Sequence, residues 1–215
     1  MPTIDIGVFA KYDNCDEAYM SLKESLIHAG IANDVKVNIH WIKAEDIEKY
    51  KDLRGIHKHF ENLDGIIVPG GFDNRGTEWK IKAIQYVREK KVPFLGICLG
   101  LQCAVIEFAR EVLKDPKANS QEVDPEAKNQ VVYIMPDQVG VDLGGSMRLG
   151  DYVAKVNKKS RTFLAYGSTK ITERHRHRYE FNNDYREVLE SAGMIIAATS
   201  PDGRLVEVVE HQNHP

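Results

Sequence analysis

The chain has 215 residues, of which 42% are hydrophobic and 28% are charged, and its formal net charge is −3. This balance is typical of a globular protein that buries a full core, and it argues against a general nucleic-acid or membrane-surface binder. Three cysteines are too few for a disulfide framework and indicate a reducing compartment. Because the sequence shows no signal peptide and no long apolar span, we expect a cytoplasmic protein that acts on small metabolites.

The first half of the chain alternates between predicted strands and predicted helices. Apolar runs at 4–10, 65–68 and 92–97 predict buried strands, and residues 35–41 alternate as a strand with one polar face. Helical spacing predicts a first helix that starts near Asp16 and ends at Gly30. The alternation predicts an α/β fold with a mostly parallel central sheet, helices on both faces and a ligand site at the carboxyl ends of the strands.

Residues 96–100, Gly-Ile-Cys-Leu-Gly, lie where the strand at 92–97 gives way to a helix. A cysteine between glycines at such a turn is typical of a nucleophile elbow, in which the thiol stands at the sheet edge above a helix amino terminus. The helix terminus favours the thiolate, which is the reactive form. We therefore predict that Cys98 is a nucleophile, whereas Cys103 on the following helix is expected to pack in the core.

Residues 69–72, Pro-Gly-Gly-Phe, follow the strand at 65–68 and are expected at the same sheet edge. Glycines bring backbone N–H groups close to a ligand, and two such donors stabilise the oxyanion that forms when a thiolate attacks a carbonyl. We predict that the N–H groups of Gly71 and Leu99 form this oxyanion hole. An ordinary Pro-Gly turn is the alternative interpretation.

The second half of the chain is predicted to be rich in strands. Residues 114–130 are polar and predict a loop or insertion over the site. Asp184 and Glu187 resemble a capping box ahead of a helix that ends at Gly193, and residues 194–199 and 205–209 predict a final hairpin. With no repeat, low-complexity tract or linker, we expect one domain over 1–215.

Residues 174–180, Arg-His-Arg-His-Arg-Tyr-Glu, form the densest ionisable run of the chain. Such a run usually forms a solvated basic face, and an RNA contact is an alternative that the net charge disfavours. A metal site is not predicted, because a strand would place His175 and His177 on one face with no carboxylate or thiolate partner in the pattern. Arg178 is suited to bind a substrate carboxylate through two parallel hydrogen bonds.

Six runs of the chain, in order, resemble the glutamine amidotransferase domain of CTP synthase, a class I, triad-type glutaminase. The runs are 68–72, 75–76, 96–100, 118–120, 144–150 and 173–180. The elbow alone indicates only the wider class I glutaminases. Residues 147–150, Met-Arg-Leu-Gly, and the run at 174–180 are more specific and point to the CTP synthase domain.

The resemblance implies that the chain hydrolyses L-glutamine to glutamate and ammonia through a thioester on Cys98. In the intact enzyme the ammonia serves a synthetase domain that aminates UTP to CTP. By the same resemblance Glu122 contacts the amino group of glutamine, and Arg178 and Tyr179 contact its carboxylate. The positions that match the family's glutamine-binding residues are Gly71, Phe72, Leu99, Gly100, Leu101, Gln102, Glu122, Arg178 and Tyr179.

The resemblance implies no metal or cofactor for this domain, since ATP, Mg and UTP belong to the synthetase domain, and it implies a homo-oligomer for the intact enzyme. The family completes its triad with a His-x-Glu pair, whereas His214-Pro215 matches an earlier His-Pro pair. We therefore expect the catalytic His and Glu, and the amino-terminal synthetase domain, to lie outside this sequence. Two other interpretations stay open: a noncatalytic glutamine-binding or regulatory domain, and another thiol hydrolase on the same scaffold.

Overall fold

The structure is a computed structural model that describes residues 1–10, 18–43, 47, 50, 53–71, 76–134 and 147–215. Contacts within the chain divide it into two compact units, residues 1–103 with 215 and residues 104–214. The single domain over 1–215 stays a prediction. Over the described ranges, no helix has both the length and the apolar character that crossing a membrane requires.

The first unit contains a four-stranded parallel sheet with the strand order β2-β1-β3-β4. A helix follows each strand in the chain, and the last helix continues into the second unit, so the predicted α/β fold is confirmed. In chain order the elements are β1 (Thr3–Ala10), α1 (Met20–Ala32), β2 (Lys36–Lys43), α2 (Leu53–Phe60), β3 (Gly65–Val68), α3 (Thr77–Lys90), β4 (Phe94–Gly96) and α4 (Leu99–Val112).

The core of this unit lies on the apolar strands that the sequence predicts. Val8, Phe9 and Val68 are completely buried, and β3 is buried at all four positions. A short strand that is apolar throughout is typical of a parallel sheet covered on both faces. The central strands therefore hold their carboxyl ends in fixed positions for the segments that follow them.

The predicted end of the first helix at Gly30 is wrong. Helix α1 continues to Ala32, and Gly30 is buried within it. A Cβ at Gly30 would lie 2.8 Å from the Val35 carbonyl oxygen and 3.1 Å from Val37 Cγ2. Glycine at this position thus permits the close approach of α1 to β2 and does not terminate the helix. The predicted start near Asp16 lies outside the described residues.

The second unit contains two sheets, which confirms that this part of the chain is rich in strands. One is antiparallel with the order β11-β10-β7-β8, and the other has the order β5-β6-β9. The strands are β5 (Asn119–Ser120), β6 (Gln130–Ile134), β7 (Arg148–Val156), β8 (Lys170–His177), β9 (Tyr179–Phe181), β10 (Met194–Thr199) and β11 (Val206–His211). The helices are α5 (Arg161–Tyr166) and α6 (Arg186–Ser191), and a 3-10 turn covers Asn183–Tyr185.

Two local predictions in this unit need correction, whereas the final hairpin is confirmed as β10 and β11. The polar segment 114–130 is not wholly a loop, because β5 lies within it and pairs with β6. The capping box is wrong, because α6 begins only at Arg186 and the Asp184 N–H donates to the Asn182 side chain at 3.1 Å. Asp184 thus receives a cap at the start of the 3-10 turn. The position of segment 114–130 over the site stays a prediction.

Candidate functional site

Cys98 occupies the predicted elbow between β4 and α4. Its φ angle is +55°, in the left-handed region that a non-glycine residue enters only at a cost. The turn is held by the Ile97 N–H, which donates to the Val68 carbonyl at 2.9 Å, and by the Gly100 N–H, which donates to the Ile97 carbonyl at 2.9 Å. Asp34, Lys91 and Lys114 also have positive φ, but of these four residues only Cys98 carries a nucleophilic side chain at a strand-to-helix turn, where such strain is typical of a functional position.

The two glycines that flank the elbow are required by close packing. A Cβ at Gly100 would lie 1.9 Å from the Val68 carbonyl oxygen, and a Cβ at Gly96 would lie 2.6 Å from the Gly100 carbonyl carbon. No larger residue fits at either position without movement of the backbone. The glycines thereby place the elbow directly against the carboxyl end of β3.

The Pro-Gly-Gly segment after β3 lies beside the thiol, as the sequence predicts. A Cβ at Gly70 would lie 3.4 Å from the Cys98 Cβ and 3.8 Å from its Sγ. Gly71 follows immediately and is partly exposed, whereas Phe72 lies outside the described residues. The first unit therefore brings the cysteine and this glycine pair to one sheet edge.

Helix α4 begins at Leu99, directly after the cysteine. The first N–H groups of a helix have no acceptor within the helix, and its amino terminus carries a partial positive charge. The Cys98 carbonyl accepts the Gln102 N–H at 3.1 Å, so Cys98 occupies the capping position. Leu99, Gly100 and Gln102 are buried, and Leu101 is partly buried. Cys103 is completely buried, in keeping with a packing role.

This arrangement favours attack by sulfur on an electrophilic carbon. The partly exposed Cys98 side chain stands at a helix amino terminus, where a thiolate is stabilised. Backbone N–H groups at the same terminus are suited to stabilise an oxyanion. The assignment of that role to the Gly71 and Leu99 N–H groups stays a prediction.

In the second unit Glu122 and Arg178 both lie within electrostatic range of the Tyr179 phenol. The pKa of the Tyr179 phenol is raised by burial and by the Glu122 carboxylate, while the Arg178 guanidinium opposes this effect. The Glu122 N–H donates to the Ser120 hydroxyl at 3.1 Å, which holds this residue at the end of β5. A carboxylate and a guanidinium near one phenol match the opposite charges of an amino acid zwitterion.

Sequence reasoning missed a buried ionic cluster that consists of Arg148, His175, His177, Glu180 and Glu207, here called the ion cluster. Arg148 forms two hydrogen bonds to Glu207, at 2.9 and 3.2 Å, and one to Glu180 at 3.2 Å. His175 lies 3.8 Å from Glu207, and His177 lies 3.4 Å from Glu180. No more than 7% of any side chain is exposed among Arg148, Glu180 and Glu207.

The expectation from the sequence that His175 and His177 have no carboxylate partner is wrong, because Glu207 and Glu180 lie beside them. Alternation along β8 does place His175 and His177 together, with His175 Nδ1 at 2.9 Å from His177 Nε2. Glu207 lies 59 residues from Arg148 in the chain, on a strand that sequence periodicity does not connect with β8. The one signal in the sequence was that Arg148 and Glu180 both belong to the runs that carry the family resemblance.

Burial shifts the pKa values of His175, His177 and Glu180 in the ion cluster. It lowers the pKa of His177 to about 4, with a further contribution from His175, and it lowers the pKa of His175 together with the Arg148 charge. Burial raises the pKa of Glu180 to about 7, against the opposing effect of Arg148. Both histidines are therefore neutral at pH 7.

Comparison with known proteins identifies the family. Residues 15–215 match the family model described as glutamine amidotransferase class-I. The chain belongs to the class-I glutamine amidotransferase family.

Within this class the chain resembles the CTP synthases. It is 53% identical over 213 residues to a CTP synthase of Carboxydothermus hydrogenoformans and 51% identical to one of Clostridium acetobutylicum, in each case over 99% of this chain and 39% of the relative. The chain thus spans about two fifths of the length of these relatives. The glutaminase domain of Trypanosoma brucei CTPS with bound acivicin matches with a TM-score of 0.90 at 35% identity, over 98% of this chain and 82% of that one.

Proposed function

We propose that the chain is the glutamine-hydrolysing part of a CTP synthase. The observation that carries this proposal is Cys98, held at φ +55° on a helix amino terminus, in a chain 53% identical to a CTP synthase. The Cys98 thiolate attacks the side-chain amide carbon of L-glutamine and forms a tetrahedral oxyanion. Collapse of this intermediate breaks the carbon–nitrogen bond as the nitrogen takes up the proton that the thiol gave up, so ammonia leaves and a glutamyl thioester remains. Water then hydrolyses the thioester to glutamate and restores the thiol.

The backbone at the elbow stabilises the developing charge in this scheme. The Gly71 and Leu99 N–H groups donate to the oxyanion, a contribution of roughly 3 kcal/mol per donor in hydrolases of comparable chemistry. Support comes from the position of Leu99 at the first turn of α4 and from the proximity of Gly70 to Cys98. Phe72, Gly100, Leu101 and Gln102 complete the contacts around the glutamine side chain.

The α-ammonium and α-carboxylate groups of the substrate are assigned to residues of the second unit. Glu122 binds the α-ammonium group, and Arg178 with Tyr179 binds the α-carboxylate. The combined effect of Glu122 and Arg178 on the pKa of Tyr179 supports this assignment, because it requires all three groups to be near one another. Binding of both charged groups on the α-carbon anchors that end of glutamine, and this places its side-chain amide at a defined distance from the anchored end.

The general base is assigned to a His-x-Glu pair of the intact enzyme and not to His214, because the His214-Pro215 pair matches an earlier pair of the family. The ammonia passes to a synthetase domain, which uses ATP and Mg to aminate UTP. The curated relatives are called CTP synthases, and the chain covers 39% of their length, which leaves room for such a domain. The glutaminase half-reaction itself requires no cofactor, and the intact enzyme is expected to be a homo-oligomer.

Covalent labelling tests the proposal. The chain is incubated with a chloroketone analogue of glutamine, and intact mass with peptide mapping locates the adduct. We expect a single adduct on Cys98 that excess L-glutamine suppresses. Cys98→Ser removes the adduct, and the matched variant Cys103→Ser retains it. Labelling that glutamine does not suppress, or labelling of Cys103 alone, would overturn the proposal. Suppression without any ammonia release in the intact enzyme would indicate a noncatalytic glutamine-binding domain.

A further inference from the structure

The ion cluster flanks the segment that the proposed function places at the substrate carboxylate. His177 is the last residue of β8, in the four-stranded sheet, and Glu180 lies in β9, in the three-stranded sheet. Arg178 lies between the two strands and belongs to neither. The residues on either side of Arg178 are held in strands, since His177 pairs with Arg148 and Tyr179 pairs with Ile134, and these strands constrain where Arg178 lies.

Both sides of this connection are tied to Arg148. Its guanidinium binds Glu180 at 3.2 Å, and Arg148 is the register partner of His177 in the β7–β8 ladder. Arg148 is itself fixed by the paired hydrogen bonds to Glu207 and lies 4.4 Å from the centroid of the Tyr152 ring. Paired guanidinium–carboxylate bonds are directional, so this side chain acts as a rigid support.

The two histidines add a directional chain of hydrogen bonds that ends on the Tyr179 backbone. His177 Nδ1 lies 3.2 Å from the Tyr179 carbonyl oxygen and 3.4 Å from Glu180 Oε1. The carbonyl only accepts, so a hydrogen bond to it requires the proton on Nδ1. Because both rings are neutral, His177 Nε2 is then the acceptor for the Nδ1–H of His175 at 2.9 Å. One proton arrangement satisfies both contacts, and it fixes the His177 ring against the carbonyl of Tyr179.

We propose that His177, supported by the rest of the ion cluster, is a positioning residue that holds the Tyr179 carbonyl and thereby sets Arg178 and Tyr179 for the α-carboxylate of the substrate. This inference rests on the proposed function. It concerns a partly buried residue that, in this scheme, does not itself touch glutamine. A purely structural role would affect every ligand of the site equally, whereas a positioning role affects the carboxylate alone.

Protection of Cys98 from iodoacetamide, measured on the whole chain, distinguishes these roles. The two ligands are L-glutamine and 4-aminobutanamide, which is glutamine without its α-carboxylate. For His177→Ala we expect the half-protecting concentration of glutamine to rise about tenfold, since a misplaced carboxylate contact loses binding steeply, while that of 4-aminobutanamide stays within about twofold. Arg178→Ala, as reference, shows the same selectivity.

Two amide variants form a matched pair that does not depend on the folding of His177→Ala. His177→Asn keeps an N–H near the place of Nδ1 and retains glutamine protection within about threefold of the unmodified chain. His177→Gln places its N–H near Nε2, out of line with the Tyr179 carbonyl, and behaves like the alanine variant. Thermal unfolding of each variant confirms that folded proteins are compared.

The outcomes separate this inference from the proposed function. If Arg178→Ala loses glutamine protection but His177→Ala and His177→Gln keep it, the positioning role is overturned and the proposed function stands. An equal loss for both ligands in His177→Ala also overturns the positioning role. If glutamine fails to protect Cys98 in the unmodified chain, or protects it equally well in Arg178→Ala, the assignment of the site fails. The positioning role then fails with it.

Discussion

Two glycines at the elbow are expected to differ strongly in how well they tolerate replacement by alanine. Gly100 and Gly70 both lie next to the cysteine, but a Cβ at Gly100 meets a backbone carbonyl at 1.9 Å, whereas a Cβ at Gly70 meets the Cys98 Cβ at an ordinary 3.4 Å. Sequence alone does not distinguish these two glycines. Their difference comes from the contact of the elbow with β3.

For Gly100→Ala we expect a loss of about 2 to 4 kcal/mol in the free energy of unfolding, because the backbone must move to admit the methyl group. Urea unfolding measures this change. Gly70→Ala serves as the control and is expected to change the free energy by less than about 1 kcal/mol. Equal stability of the two variants would contradict the close packing described for the elbow.

The buried histidine gives the protein a defined dependence of stability on pH. Burial lowers the pKa of His177 from its ordinary value of 6.5 to about 4. Between these values the unfolded chain binds a proton that the folded chain does not, so the contribution of His177 to stability is complete above pH 6.5 and is lost as the pH falls toward 4. Glu180, whose pKa is raised to about 7, acts in the opposite direction, since its contribution declines as the pH rises from about 4.5 to 7.

We therefore expect the stability advantage of the unmodified chain over His177→Asn to shrink as the pH is lowered from 7 to 4. Urea unfolding at a series of pH values measures the difference between the two proteins. The variant Glu180→Gln provides the converse control, because its advantage over the unmodified chain is expected to grow as the pH rises from 4.5 to 7. A difference between the unmodified chain and His177→Asn that does not change with pH would contradict a buried neutral His177.

At the scale of elements, the ion cluster joins strands that sequence order keeps far apart. Arg148 on β7 binds Glu180 on β9, 32 residues away, and Glu207 on β11, 59 residues away. These strands belong to two different sheets. The cluster therefore links the two sheets of the second unit through charged groups that are almost completely buried.

Removal of the arginine is expected to be costly, because Glu207 then loses both of its hydrogen bonds to the guanidinium, and Glu180, whose pKa is about 7 even with Arg148 present, must take up a proton to stay buried. For Arg148→Met we expect a loss of about 3 to 5 kcal/mol in the free energy of unfolding at pH 7. Arg186→Met is the matched control, since its ion pair with Glu190 is exposed, at 35% and 41% of the side chains, and is worth less than about 1 kcal/mol. Urea unfolding compares both variants, and a loss for Arg148→Met as small as that for Arg186→Met would contradict the burial of the cluster.

At the scale of the whole molecule, the proposed function predicts that glutamine stabilises the folded chain. A ligand present at a hundredfold excess over its dissociation constant adds about 2.7 kcal/mol to the free energy of unfolding. The effect is best measured as a shift in the thermal unfolding midpoint of Cys98→Ala, which cannot form the thioester. Asparagine, shorter by one methylene, is the control ligand and is expected to give a much smaller shift at the same concentration. No shift with glutamine, or an equal shift with asparagine, would contradict a glutamine pocket.

Much of the first unit follows from local sequence. The apolar run at 65–68 defines β3 because a fully buried strand needs no polar alternation. The glycines around Cys98 indicate the elbow because the backbone on either side of such a turn packs too closely for a side chain. Gly30 shows the limit of such reasoning, since a helix end and a close helix–strand contact both favour glycine. The structure decides between them through the 2.8 Å distance to the Val35 carbonyl oxygen.

By itself the sequence determined the class of fold, the cysteine at the elbow and the family, because each of these depends on short runs of residues with a local physical meaning. Only the tertiary structure revealed the ion cluster, since its members come from four strands, β7, β8, β9 and β11. Burial, not sequence spacing, shifts the pKa values of His175, His177 and Glu180. In the sequence the histidines of β8 look like part of an exposed basic run. In the folded chain both are neutral and partly buried beside Glu180 and Glu207, and His177 immediately precedes Arg178.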